Sequence, residues 1–153
     1  MAIKWWIWLI IGICIGVAIT SAIWALSTVE AREIEHVALI ELSGTISYSE
    51  SPLAIFSGET LTPSKVENLI KMVEADPSAK AVVLVINSPG GSAAASEEIY
   101  NMIKHLSEER VVVAYIAEYG ASGGYYISLP SDKIVASPNA FTGSVGAVSI
   151  IIN

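Results

Sequence analysis

Residues 5–26 carry no formal charge over 22 consecutive positions, and this run constrains the chain more than any other feature. At about 1.5 Å per residue, a helix of that length covers the ~30 Å hydrocarbon thickness of a bilayer. A lone segment in lipid must satisfy its own backbone amides, so a helix is the form expected. A cleaved secretory leader would have a shorter apolar stretch, about 7–15 residues, and a small-residue cleavage site. The weak Ala25-Leu26-Ser27 sequence makes a retained anchor the expectation. Lys4 precedes the run and Glu30, Glu33 and Glu35 follow it, so the N-terminus is expected in the cytoplasm and the rest outside the membrane. Gly12, Gly16 and Thr20 fall on one helix face. They fit either close approach of two anchors or a span that happens to contain glycine.

The remaining length allows one domain, and the expected organisation is an anchor over 1–26, a polar link over 27–35 and a domain over 36–153. A mean hydropathy of +0.59 exceeds that of an ordinary soluble globule, and the anchor carries much of the excess. The formal net charge of -7 argues against nucleic-acid binding, which needs a basic face. The single cysteine, Cys14, lies in the apolar run, so no intrachain disulfide is available. Two isolated histidines, His36 and His105, make no metal-ligand cluster with it, and neither metal nor cofactor is expected.

Behind the link, strand and helix patterns alternate. Residues 37–46 read as a strand ending near Gly44, and 48–61 as a surface loop. Thr62-Pro63 pairs a capping hydroxyl with proline at a first helical position, and Val66, Leu69, Ile70 and Val73 recur at helical spacing until Asp76-Pro77. Residues 81–86 are continuously apolar and valine-rich, as in a parallel strand buried on both faces. Ile99, Met102, Ile103 and Leu106 mark a second amphipathic helix. Further strands are expected at 111–117, 133–136 and 145–152, and a short helix at 123–129. The alternation predicts an α/β layered domain with mainly parallel strands.

Two glycine-rich turns sit where strands end and helices begin. In Asn87-Ser88-Pro89-Gly90-Gly91 the paired glycines permit a sharp turn whose amides point into open space, suited to an oxyanion or simply to a tight connection. In Tyr119-Gly120-Ala121-Ser122-Gly123-Gly124-Tyr125-Tyr126, Ser122 fits either a nucleophile held between rigid elements or a helix cap. In a parallel sheet both turns emerge at the carboxyl ends of strands, where ligands bind. Together they have the parts for acyl transfer, with Ser122 attacking and the amides of Gly91 and Gly123 receiving the charge on the carbonyl oxygen.

These two motifs, followed by Asp132-Lys133-Ile134-Val135-Ala136 and Thr142-Gly143-Ser144-Val145-Gly146, resemble the signal peptide peptidases of the SppA type, peptidase family S49. The likeness runs from about Val37 to the last residue, with a matching anchor in front. It implies a Clp protease/crotonase-like fold, a serine nucleophile at Ser122, a lysine general base and assembly into homo-oligomers. It also implies hydrolysis of signal peptides left in the membrane. In relatives the lysine lies well downstream of the nucleophile, and this sequence stops at Asn153 before reaching that region, so only the N-terminal part of the fold is expected. Lys133 is no substitute. A helix of about eight residues would separate it from Ser122 by roughly 12 Å and deliver it to the other edge of the sheet. Alternatives from other classes are an inactive assembly subunit and a crotonase-like acyl-CoA enzyme.

Overall fold

The computed structural model describes residues 4–27, 34–49, 59–146 and 148. The chain divides into two compact units, Met1–Ile34 and Glu35–Asn153. In the first, helix α1 (Lys4–Ser27) exposes its tryptophans and isoleucines along its length. Among the described residues it contains the one helix, Lys4–Trp24, long and apolar enough to cross a membrane. The Thr20 hydroxyl bonds back to the carbonyls of Gly16 and Val17, both at 3.0 Å, so this polar side chain is satisfied within its own helix. The linking residues 28–33 fall outside the described set.

The second unit runs β1 (His36–Ser43), β2 (Thr45–Ile46), β3 (Thr60–Leu61), α2 (Pro63–Glu74), β4 (Ala79–Ser88), α3 (Ala93–Glu109), β5 (Val111–Ala121), α4 (Gly123–Tyr126), β6 (Lys133–Ala136) and β7 (Phe141–Gly143). The main sheet has the order β1-β4-β5-β6, with β7 also pairing β5, and every pairing is parallel. A separate two-stranded ladder joins β2 to β3. The strand expected over 37–46 is thus cut in two at Gly44, whose φ of 102° is open to glycine and whose amide bonds to the Asn87 carbonyl.

The helices begin where their sequences say they should. The Thr62 hydroxyl accepts the amide of Lys65 at 3.2 Å, with Pro63 at the first position of α2. Ser92 does the same for Ala95 at the head of α3. Apolar faces of the two helices cover one side of the sheet: Val66, Ile70, Val73, Ile99, Ile103 and Leu106 meet Ile40, Leu42, Val82, Leu84, Ile86 and Val112. This is the core.

Other expectations are corrected by the structure. Strand 81–86 is expected to be buried on both faces, but only alternate residues are, and Val83 and Val85 are half-buried on the face that none of the described helices covers. There they stand in register with the exposed Leu39 of β1 and with Val113 and Tyr115 of β5. In the stretch 145–152, expected as a strand, Val145, Gly146 and Val148 carry no strand; the rest of it lies outside the described residues. The helix expected over 123–129 is shorter, ending at Tyr126 and giving way to turns.

Candidate active site

Because β4 and β5 are parallel neighbours, the turns after them leave the same edge of the sheet, with Ser88 opposite Gly120 in the register. The turns touch. A side-chain carbon added at Gly90, where φ is 93°, would lie 2.6 Å from the Gly123 nitrogen and 2.8 Å from Ser122 Cβ. Glycine is therefore required at this position twice over, for its backbone angle and for the approach of the serine turn.

Ser88 anchors the first turn. Its hydroxyl is fully buried, donates to the Gly44 carbonyl at 2.6 Å and accepts the Gly90 amide at 3.1 Å. Ile46 lies along the other side: its amide donates to the Gly90 carbonyl at 2.9 Å, and its carbonyl accepts the Ser92 amide at 2.8 Å. In that parallel bridge the Gly91 amide faces away from Ile46.

Ser122 adopts φ 51°, ψ −120° between β5 and α4. A side chain held in that region costs about 1–3 kcal/mol, and such strain persists only where the surroundings enforce it. Its amide donates to the Gly143 carbonyl at 2.7 Å, while its carbonyl accepts the amides of Tyr125 and Tyr126 at 3.1 and 3.0 Å. The hydroxyl makes no capping bond to α4. The cap reading of Ser122 is thereby set aside, and what remains is a serine on a sharp strand-to-helix turn, the arrangement of a nucleophile elbow.

The structure therefore brings Ser122, Gly123, Gly90 and Gly91 together. It keeps Lys133, His105 and His36 apart from them. Lys133 pairs with Val113 near the start of β5; measured along the neighbouring β4, Val113 lies six strand positions from the level of Ala121, which is about 20 Å at strand rise and farther than the ~12 Å expected. His105 is exposed in the last turns of α3 near Glu108 and Glu109. His36 opens β1 at the opposite end of the sheet, 3.2 Å from Asp76. On the rim, the Tyr48 hydroxyl bonds to Glu98, which raises its pKa above the ordinary tyrosine value, with burial and the charge of Glu97 adding to the effect.

Sequence reasoning gave no role to Ile46, Ser88, Ser96 or the tyrosines flanking the turns. Ser88 was legible in principle, since a hydroxyl directly before Pro-Gly-Gly is a turn-stabilising residue. The profile of peptidase family S49 matches residues 104–153, the half of the domain that holds the serine turn. The chain belongs to peptidase family S49. Over 126 residues, 82% of its length, this S49 chain is 34% identical to the serine protease SPPA, chloroplastic, of Arabidopsis thaliana, and spans 18% of that protein. Its fold is that of the Clp proteases. The 1510-N membrane-bound stomatin-specific protease superposes with a TM-score of 0.60 at 22% identity, covering 75% of this chain and 50% of that one. ClpP1 of Listeria monocytogenes superposes with a TM-score of 0.53 at 21% identity, over 68% of this chain and 53% of that one.

Proposed function

We propose that this chain is the membrane-anchored, nucleophile-bearing part of a serine endopeptidase that degrades signal peptides left in the membrane. The observation that carries this reading is Ser122, strained at φ 51° on the turn after β5, against the Gly90-Gly91 turn, with its hydroxyl uncommitted to the helix that follows. Ser122 Oγ attacks the scissile carbonyl carbon and a base takes its proton. The amides of Gly91 and Gly123 receive the negative charge that develops on the carbonyl oxygen, each such donor contributing roughly 3 kcal/mol to the transition state. Collapse expels the amine half of the substrate, and water then releases the acyl half from Ser122.

The base in this reading is a lysine supplied from outside these residues, by a longer polypeptide or a neighbouring subunit of a homo-oligomer. In water a lysine has a pKa of about 10.4 and is protonated at neutral pH. An apolar cleft beside a membrane disfavours the charge and yields the neutral amine that accepts the serine proton. α1 is read as a retained single-pass anchor with the N-terminus cytoplasmic and Ser122 outside. Digestion of the domain in intact spheroplasts is the outcome expected for that topology; protection until lysis would reverse it.

The chemistry is tested by labelling with a fluorophosphonate probe, in which the serine oxygen displaces fluoride from phosphorus. A polypeptide carrying this sequence together with the base should be labelled at Ser122 and lose both label and signal-peptide cleavage in Ser122→Ala. Cleavage that survives Ser122→Ala would refute the assignment. A folded but unlabelled protein would instead support an inactive assembly subunit, a reading favoured by the lack of a described basic group bonded to the Ser122 hydroxyl.

A further inference from the structure

The oxyanion arrangement rests on two amides from different turns, and catalysis of this kind fails when such groups drift by about an ångström. One turn leads into α3, the other into α4. α4 has four residues, too few to be stable by its own hydrogen bonds. Its position, and with it the direction of the Gly123 amide, is set by what it packs against.

Those contacts follow a pattern. At Gly124, an added side-chain carbon would meet the Ser88 carbonyl oxygen at 2.3 Å, and at Gly123 it would meet Ser96 Oγ at the same distance. Ser96 is buried on α3, its hydroxyl bonded to the Ser92 carbonyl at 2.8 Å. One turn farther along α3 stands Tyr100, and one turn beyond Gly123 stands Tyr126. Their rings stack with centroids 4.8 Å apart and planes inclined by 21°. Successive turns of the two helices are thus matched: Ser96 to Gly123, Tyr100 to Tyr126. Ser92, the cap of α3, follows Gly91 directly, so this face of α3 connects the two amide donors through one rigid element.

We propose that the Tyr100–Tyr126 stack is a positioning device for the reaction, clamping α4 onto α3 so that the Gly91 and Gly123 amides converge on one oxygen atom. The tyrosines are positioning residues, not catalytic ones, and the working element is the pair of ring faces. The proposal rests on the reading of Ser122 as nucleophile for its catalytic part and on packing alone for its structural part.

The test separates these. In the full chain in detergent micelles, amide exchange followed by mass spectrometry should show residues 121–129 exchanging about tenfold faster in Tyr100→Ala and Tyr126→Ala, the opening expected from loss of one ring stack. Peptides from α2 and β4 should be unchanged. In the complete peptidase, the rate of fluorophosphonate labelling of Ser122 and kcat should fall by up to about 100-fold while KM holds. Tyr100→Phe and Tyr126→Phe, which keep the faces, should restore both readouts. The proposal is overturned if the alanine variants leave exchange at 121–129 unchanged, if exchange rises throughout the domain, or if the phenylalanine variants behave like alanine. An unlabelled parent would count against the nucleophile, while the exchange comparison would still decide the clamp.

Discussion

Three glycines of this domain separate two costs usually measured together, backbone strain and lack of room. Gly143 has φ 100° with nothing within 4 Å of an added side-chain carbon, so Gly143→Ala meets strain alone, about 1–3 kcal/mol. Gly124 is outside the positive-φ set, but its added carbon would sit 2.3 Å from the Ser88 carbonyl oxygen, a backbone atom with no rotamer to change. Gly124→Ala therefore meets overpacking alone, about 1–3 kcal/mol. Gly90 combines φ 93° with contacts of 2.6 and 2.8 Å to Gly123 and Ser122, and Gly90→Ala is expected to cost the sum, about 2–6 kcal/mol. The measurement is urea unfolding of the anchored chain in detergent micelles. All four tryptophans lie in the anchor, at positions 5, 6, 8 and 24, so their fluorescence reports the wrong unit. Tyrosine fluorescence or far-ultraviolet circular dichroism follows the domain instead. Gly143→Ala as damaging as Gly90→Ala, or a neutral Gly124→Ala, would refute the separation.

Ser122→Gly should remove probe labelling and raise stability by about 1–3 kcal/mol, because glycine adopts the strained angles without penalty; a loss of stability on urea unfolding would show that the turn is unstrained. Arg110→Ala should cost about 2–4 kcal/mol by the same assay, since its guanidinium donates to the carbonyls of Glu74, Asp76 and Ala79 at 3.2, 3.1 and 2.5 Å and ties the end of α2 to the start of β4. Tyr48 should ionise at higher pH than the ordinary value of 10.0 in an ultraviolet titration, and Glu98→Gln should lower its midpoint. The folded pKa is the raised one, so any stability this contact contributes is present below the ordinary tyrosine pKa and lost as pH rises through the raised value; a midpoint unmoved by Glu98→Gln would remove Glu98 as the cause.

What the sequence made legible, and what it hid, divides by the range of the forces involved. Thr62-Pro63 and Ser92 act on amides three residues away, and both caps appear where local chemistry puts them. The two glycine turns were likewise readable, because a strand followed by Gly-Gly and an apolar helix leaves few other backbone paths. Contacts between residues distant in sequence were not readable: Ser88 bonds a carbonyl 44 positions earlier, and Tyr100 meets Tyr126 across two helices. Neither pairing leaves a periodic trace.

The strand at 81–86 shows a different failure. A continuous run of valine, leucine and isoleucine states only that neither face must avoid apolar neighbours. It does not say that both faces are covered. In the structure α2 and α3 bury Val82, Leu84 and Ile86, while Val83 and Val85 face outward beside Leu39, Val113 and Tyr115. Glu41 interrupts that outer face on β1, in register with Val85 and Tyr115, so the face is apolar at its centre and charged toward its edge. The site is built entirely at the other margin, where the strands end: the covered face fixes α3 and hence Gly91, and β5 delivers Ser122 one residue beyond its last paired position, Ala121. Shifting β5 by a single residue against β4 would turn Val112 and Ala114 out of the core, so the covered face also fixes the register of the strand that leads to the serine turn.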